Sequence, residues 1–458
     1  MILKNKRILD IIKKEKSNRE VTMAYIIIAG AGHGGLVAGA ILAQHGYDVT
    51  VYEKKQKNEL GYDWHDRFDF SLLTGFLGIS TDELNKEIWE YRGDCAFVSP
   101  SKNKKIIINY DEDNRQKIMW RKHLIQMLVS HAEQCGVKFV FGAEISSPVI
   151  TGARVCGFKT SDGKVITADL TIDAAGINSP LRTGLPKYFN IENAPKNGEV
   201  FYAYRAYFDK KDDISPDAPF EIYLRHEGDK GLSWCYTAEN YVDILIGRTT
   251  PLTDDKVSEL LDGFRSDHPW IGNRILHGGC YGIIPVRRPL TLMVADGYAA
   301  VGDSAFMTTP MNGMGIDLSI EAGKLLAETV VNSVSDHYSA SVLWDYNMMF
   351  HVLFGGETAK NEGLKNSLLK LPKEGVDFLF ENEVIQSSDL AGAGRTTDVS
   401  ALLGKFRRGM KKPPYFLAII NGLLKGSKTA SLYKDPPVCY DIDEILKWMK
   451  KIEKNDIK

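Results

Sequence analysis

Apolar and polar positions change period along the chain, and the changes mark out its elements. Tyr25–Ala29 is a continuous apolar run rich in β-branched residues, the pattern of a strand buried on both faces. Positions 36–45 carry apolar residues at helical spacing up to Gly46, which predicts a helix with a glycine stop. A second strand is predicted at 48–52, finishing on Glu53. Residues 54–92 mix loop and helix, and short strands are predicted at 96–98 and 106–110. A helix over Arg121–Gln134 stops at Gly136, with strands after it at Lys138–Phe141, Arg154–Thr160 and Leu170–Asp173. From 200 to about 247 the texture becomes alternating and aromatic-rich, at 200–208, 221–225, 232–236 and 243–246, which predicts an antiparallel sheet. Buried parallel texture returns at 298–301, a helix is predicted over 315–331, and the chain beyond 340 is helical with loops at 390–398 and 434–438.

The glycines at the first turn carry chemistry. Gly30-Ala31-Gly32-His33-Gly34-Gly35 follows a strand and opens a helix in the G-x-G-x-x-G pattern. Gly30 permits the tight turn, Gly32 lets the backbone approach a pyrophosphate, and Gly35 lets helix and strand pack closely. The pyrophosphate meets the free N–H groups and positive end of the helix. Glu53, at the tip of the second strand, is placed to accept hydrogen bonds from an adenosine ribose, and its charge disfavours a 2′-phosphate. The site is therefore predicted to hold FAD or NAD and not NADP.

A second motif decides between them. Residues 299–305 read as a strand ending in Gly302-Asp303, and Pro310-Met311-Asn312-Gly313-Met314-Gly315 leads into a helix. An acid at that strand end can hold a ribityl hydroxyl, and the glycine-rich helix start can present N–H groups to a flavin's pyrimidine edge. NAD needs no such second site, so FAD is the predicted cofactor.

With these stretches in view, the chain resembles FAD-dependent oxidoreductases of the p-hydroxybenzoate hydroxylase fold, and most of all the geranylgeranyl reductase family. The resemblance spans roughly residues 25–335. It rests on the glycine motif with Glu53, Arg121 heading its helix, the run 173–182 (Asp-Ala-Ala-Gly-Ile-Asn-Ser-Pro-Leu-Arg), and the run from Gly302 to Gly315. Gly231-Leu232-Ser233-Trp234-Cys235-Tyr236 and residues 281–289 are also similar to that family. The resemblance implies that Arg121, Asp303, Asn312 and Gly313 touch FAD. Ala175-Gly176 stands where hydroxylases of the fold carry Asp-Gly. Gly61-Tyr62-Asp63-Trp64-His65-Asp66 stands where the reductases often carry a cysteine, and Cys235-Tyr236 replaces a Phe-Pro pair.

The expected architecture is α/β with α+β elements: a Rossmann-type FAD-binding domain interrupted by an antiparallel-sheet substrate domain, with a helical C-terminal region. Its expected parts are an appendage at 1–22, the first FAD-binding part at 23–182, the substrate domain at 183–290, the second FAD-binding part at 291–338, and the helical region at 339–458. The basic stretch 1–22 and the uncharged stretch 23–44 mimic a signal or anchor, but the spaced glycines identify a strand, turn and helix instead.

Reduction of a C=C bond needs a hydride from the flavin and a proton from an acid. Trp64, His65 and Asp66 combine aromatic surface with titratable groups, and a histidine beside a carboxylate can be protonated at neutral pH. The alternative is a capping loop that fills a groove. Trp234 and Tyr236 point one way on their strand and either line a substrate pocket or pack the core. Arg205 and Arg225 meet a substrate carboxylate or make surface ion pairs.

Composition narrows the partners. A net charge of −2 over 458 residues gives no basic field, so nucleic acid is excluded as a main partner. The six cysteines form no C-x-x-C and none pairs with histidine at zinc spacing, so no metal site is predicted and the thiols fit a cytoplasmic protein. No second glycine motif supplies a nicotinamide domain, so electrons come from NAD(P)H docking transiently or from a redox protein. The expected function is an FAD-dependent reductase of an unsaturated, mostly apolar small molecule or lipid, with membrane contact at most peripheral. A monooxygenase or dehydrogenase of the same fold, and a non-catalytic electron carrier, are the alternatives.

Overall fold

The computed structural model describes residues 24–86, 88–91, 93–109, 117–212, 214, 216–333, 337–390 and 399–455. The appendage expected at 1–22, the last residue of the strand expected at 106–110 and most of the loop expected at 390–398 lie outside them.

Two sheets organise the molecule. The first has six strands in the order Val294–Ala295, Tyr298–Ala300, Leu170–Asp173, Tyr25–Ala29, Asp48–Glu53, Lys138–Phe141. All neighbours are parallel except the first pair. Ile26, Ile27 and Ile28 are fully buried, as their unbroken apolar run requires. In register, Ala29 stands opposite Asp173 and Asp173 opposite Ala300, so three strands from distant parts of the chain end side by side. Backbone bonds continue past those ends, from Ala174 N–H to Ala29 at 2.8 Å and from Val301 N–H to Asp173 at 2.9 Å. Ligands of open α/β sheets bind at such carboxyl ends.

The second sheet runs Ile271–Pro285, Val200–Lys210, Tyr241–Arg248, Gly231–Thr237, Phe220–Leu224, Cys95–Val98, Lys105–Ile108. It is antiparallel apart from the pairing of Phe220–Leu224 with Cys95–Val98. Those last two strands were expected to belong with the cofactor region, but their hydrogen bonds put them in this sheet.

The helix Asp254–Asp267 covers one face of the second sheet and was not anticipated. Its signal was present: Thr253 caps it by accepting from Lys256 N–H, and Val257, Leu260, Leu261 and Phe264 recur at helical spacing. They pack on Phe208, Ile244 and Ile246. The opposite face carries Arg205, Tyr207, Trp234 and Tyr236 and turns toward residues 64–65, 89–91 and 120.

The C-terminal region is helical, as expected. Its helices include Ala340–Phe350, Gly356–Lys370, Lys373–Glu381, Val399–Gly409, Pro413–Tyr433 and Ile442–Glu453. A buried ion pair of Arg288 with Glu362 ties the return from the second sheet to this region, while Arg287 binds Glu192 and Glu199, ahead of that sheet's strand Val200–Lys210, at 2.8 Å each. No helix of the described residues is long and apolar enough to cross a membrane.

Candidate active site

The glycine turn is shaped by backbone contact. Gly30 has φ +86°, and a β-carbon there would lie 2.7 Å from the Ala174 carbonyl oxygen; one on Gly32 would lie 2.8 Å from the same atom. Only glycine fits both positions. Gly35 sets its bare α-carbon against the Ala174 side chain. The helix His33–Gln44 begins at once after Gly32 with no side-chain cap, so its first N–H groups are left for an anion. Glu53 reaches back over this turn, with Oε2 accepting from Ala31 N–H at 2.8 Å and Oε1 from Lys55 N–H at 2.9 Å.

The second motif stands beside the first. Gly302, at φ +67°, opens the short 3-10 turn Gly302–Ala305 that carries Asp303. A β-carbon on Gly315, which starts the helix Ile316–Asn332, would lie 3.7 Å from Asp303 Oδ1, so acid and helix start adjoin. Burial lifts the Asp303 carboxyl to about 6, against the pull of Arg121 and Arg182. Gly313 packs against Ile284, while Asn312 is exposed and closes its own turn by accepting from Met314 N–H at 3.1 Å. Arg182, which received no role from the sequence, is fully buried here. It donates to the Ser304 carbonyl at 2.6 Å and the Asn193 carbonyl at 3.0 Å, and its guanidinium lies 4.4 Å from the Phe306 ring centre. It therefore pins the 173–182 run to the turn that carries Asp303.

Residues 61–66 divide between two environments. Asp66 accepts both arms of Arg121, at 2.5 and 2.7 Å. Burial pushes the Asp66 carboxyl up, but Arg121 outweighs it and holds the group below the usual carboxylate range. The Arg121 guanidinium also lies 5.5 Å from the ring centre of Tyr62 and 5.6 Å from that of Trp64, which is buried and stacked on Tyr62. His33 stands near the same pair; burial, then Arg121, lower its pKa to about 4, and its buried Nε2 has no hydrogen-bond partner. Asp66 thus belongs with the glycine motif, and Arg121, expected to face the cofactor, spends two donors on Asp66.

His65 points elsewhere, so the expected acid pair of His65 with Asp66 is not formed. The His65 ring is fully buried among Trp89, Tyr91, Trp120, Tyr207 and Tyr241. Arg205 donates to the His65 carbonyl at 2.8 Å and to Nδ1 at 3.2 Å, and is itself paired with Asp243 at 2.6 and 2.9 Å. A guanidinium can only donate, so Nδ1 is an acceptor and the proton of the neutral ring sits on Nε2, 3.4 Å from the Tyr241 hydroxyl. Burial, then Arg205, hold the pKa of His65 well below 6.5. A standing imidazolium at His65 is thereby corrected to a neutral imidazole.

Trp234 and Tyr236 do share a face. Trp234 lies under the Arg205 guanidinium at 5.0 Å, and Tyr236 meets Tyr91 edge-on at 4.6 Å. Arg205 makes a buried ion pair here, not a surface one, and Arg225 donates to the Leu371 carbonyl at 2.9 Å. Sequence reasoning missed Tyr91, Tyr207, Tyr241 and Asp243. One signal existed: Arg205 and Asp243 interrupt otherwise apolar strands, and buried opposite charges are paired.

Two strand ends, a glycine turn that excludes any β-carbon, an uncapped helix start and an acid beside a second helix start fit the two halves of FAD. The molecule is an FAD-dependent oxidoreductase with a Rossmann-like cofactor domain. Comparison with known families agrees: residues 119–329 match the family described as FAD dependent oxidoreductase, and residues 28–71 match the NAD(P)-binding Rossmann-like domain. Among relatives, the digeranylgeranylglycerophospholipid reductase of Sulfolobus acidocaldarius is 22% identical over 82% of this chain and 84% of its own. Protein FixC of Escherichia coli is 26% identical over 70% of this chain and 79% of its own. Among solved structures, a geranylgeranyl bacteriochlorophyll reductase-like protein of Thermoplasma acidophilum superposes with a TM-score of 0.69 at 18% identity, over 88% of this chain and all of that one. A probable FAD-dependent monooxygenase of Pseudomonas aeruginosa superposes with a TM-score of 0.57 at 16% identity, over 79% of this chain and all of that one. The chain is thus similar to geranylgeranyl reductases over most of its length and shares their fold.

Proposed function

We propose that this enzyme saturates C=C bonds of an unsaturated isoprenoid or similar lipid, in the cytoplasm or at a membrane it touches only peripherally. The observation that carries the reading is the inner face of the second sheet: Trp234, Tyr236, Tyr207 and Tyr241 form an aromatic cluster there, and the two charges among them, Arg205 and Asp243, neutralise each other. Such a face suits an apolar chain, and among the described residues its Arg205 is already paired with Asp243 and not free for a carboxylate or phosphate. The similarity to enzymes named digeranylgeranylglycerophospholipid reductases over about four-fifths of both chains supports the same substrate class.

Reduced FAD, when bound, supplies the hydride. Gly30, Gly32, Gly35 and Glu53 hold its adenosine and pyrophosphate half; Gly302, Asp303 and Gly313 hold its flavin half, with Arg121 fixed alongside by Asp66. Asn312 shapes the loop at the mouth of that half. Trp64, Trp234 and Tyr236 orient the substrate and exclude water. The proton follows a different route from a charged histidine. Burial raises the phenols of Tyr91 and Tyr241, so both stay protonated, and His65 joins them as a neutral relay with Nε2–H toward Tyr241 and Nδ1 toward Tyr91 at 3.3 Å. The electron donor is NAD(P)H docking transiently or a redox protein.

The test is anaerobic product analysis. FAD-loaded enzyme, reduced chemically in the absence of oxygen and given a digeranylgeranylglycerophospholipid, is expected to yield a product heavier by one or more pairs of hydrogens. Oxygen-dependent hydroxylation would move the enzyme to the monooxygenases. No product, with fast reoxidation by an electron acceptor protein, would make it a carrier.

A further inference from the structure

The charge of this chain is unevenly placed. Residues 399–434 contain eight Lys or Arg and no Asp or Glu, while the chain as a whole is −2. This stretch forms the helices Val399–Gly409 and Pro413–Tyr433. Six large apolar side chains stand exposed along it: Leu403 (65%), Phe406 (54%), Met410, Leu417, Leu423 and Leu424 (57%). Leu403, Phe406 and Met410 recur at i, i+3 and i+7, and Leu417 and Leu424 at i and i+7, so each set lies along one helix face. The opposite side of the longer helix is already used, with Phe416, Gly422, Gly426 and Thr429 buried against the body of the protein. Of the basic residues, Arg407, Lys411, Lys412 and Lys428 are exposed, whereas Lys405 pairs with Asp389.

We infer that this surface docks the enzyme on a bilayer containing anionic phospholipids, with the two helices lying in the headgroup layer. Long apolar side chains beside Lys and Arg, with no acid in the stretch 399–434 itself and Asp389 already taken up by Lys405, match an interfacial helix that buries one face in the acyl boundary and sets its cations on lipid phosphates. Neither helix is apolar enough to cross, so the contact is monotopic. A second copy of the chain is disfavoured because two such faces would meet with like charge, and a lysine-rich helix is unlike the core of protein interfaces. Beneath the patch, Phe416 joins a cluster with Phe97, Ile106 and Leu224 of the second sheet. Leu224 shares a strand with Ile222, which stands opposite Trp234. An apolar path thus leads from the docked surface along the sheet to the proposed substrate face. The docking itself does not depend on the reductase reading.

Full-length, FAD-loaded protein is expected to co-sediment with vesicles of phosphatidylcholine mixed with phosphatidylglycerol, far more than with phosphatidylcholine alone, and to be released by salt. Each cation near an anionic surface strengthens binding by a factor of roughly 5. Leu403→Asp with Leu424→Asp, and separately Arg407→Glu with Lys411→Glu, should each lower vesicle partition by roughly tenfold or more while leaving flavin content and melting temperature unchanged. Absence of parent binding to mixed vesicles, equal binding to both vesicle types, or parent-like binding by both variants overturns the inference. A dimer abolished by Leu403→Asp with Leu424→Asp, without vesicle binding, would assign the patch to a second copy. Salt-sensitive capture of a purified acidic ferredoxin, again without vesicle binding, would assign it to the electron donor.

Discussion

The cofactor side and the proposed substrate side of this molecule are built by opposite means. At the cofactor side the working groups are main-chain: a turn with no room for a β-carbon at Gly30 or Gly32, and two helix starts left without side-chain caps at Gly32 and Gly315. At the substrate side they are side chains brought together across the fold, with Arg205 reaching the carbonyl of His65, 140 positions away in sequence, and the carboxylate of Asp243. A backbone site is rigid and changes little when one side chain is trimmed. A side-chain cluster can change specificity by single substitutions, but each member carries the stability of its neighbours. The two sides meet at residues 64–66, where Asp66 serves the first and His65 the second.

That contrast fails if the glycine turn tolerates a side chain. Gly32→Val would drive a β-carbon to within 2.8 Å of the Ala174 oxygen, so the variant is expected to fold but lose FAD and all activity. Absorbance of the bound flavin after reconstitution measures this, and a yellow, active variant would remove the turn from the site.

The next largest effect belongs to the other side. Arg205→Met leaves Asp243 buried without its partner, which is expected to cost about 3–5 kcal/mol in urea unfolding. Arg205→Met with Asp243→Leu removes both charges and should recover most of that loss. If the double variant is no more stable than the single, the pair is not the unit that holds the cluster.

A smaller effect tests whether the backbone site contains one costly side chain. Burial raises the Asp303 carboxyl to about 6 in the folded protein, above its ordinary value of 3.8. Below about pH 4 both folded and unfolded chains carry it protonated, and the cost of burying its charge is absent. The cost grows between pH 4 and 6 and is full above 6. Asp303→Asn apoprotein should therefore melt a few degrees higher than the parent at pH 7, on the order of 3 kcal/mol, and come close to it at pH 4. The same variant should retain FAD less well, so stability and function move in opposite directions. Equal melting at both pH values would show that the carboxylate is not strained.

These two modes of construction also explain what could be read from the residues alone. The glycine turn, Glu53 and the Gly302-Asp303 end are local patterns whose physics is contained in a few consecutive positions, and the structure sets them side by side. His65 and Asp66 are adjacent in sequence, which suggested one acid pair, yet on a strand neighbouring side chains leave on opposite faces. Their partners Arg205 and Arg121 lie far away in sequence, and no period shows that distance. The strands Cys95–Val98 and Lys105–Ile108 were visible as strands, but their sheet is fixed by pairing with Phe220–Leu224 across more than a hundred residues. The Asp254–Asp267 helix was hidden by the aromatic strands around it, although its cap and apolar spacing were legible.

The smallest effect concerns the charge state of His65. Its folded pKa is well below 6.5 because burial, and then Arg205, disfavour the imidazolium, whereas an unfolded chain would protonate it near 6.5. The unfolded state therefore binds the extra proton as pH falls through 6.5, so the stability that neutral His65 contributes is complete above that pH and drains away below it. His33 and His351, both lowered to about 4 by burial, act in the same direction. Between pH 6 and 5 His33 and His351 each add up to about 1.4 kcal/mol per pH unit to the slope of unfolding free energy, and His65 adds to it in the same direction. His65→Gln keeps a polar side chain near Tyr241 and removes that residue from the linkage, so its slope should be shallower than the parent's. The turnover of the parent, if His65 relays as a neutral ring, should show no inflection from this residue between pH 5.5 and 8. An activity profile that rises on acidification with a midpoint near 6.5, and loses that limb in His65→Gln, would restore the charged donor and join His65 again to the titrating chemistry of the site.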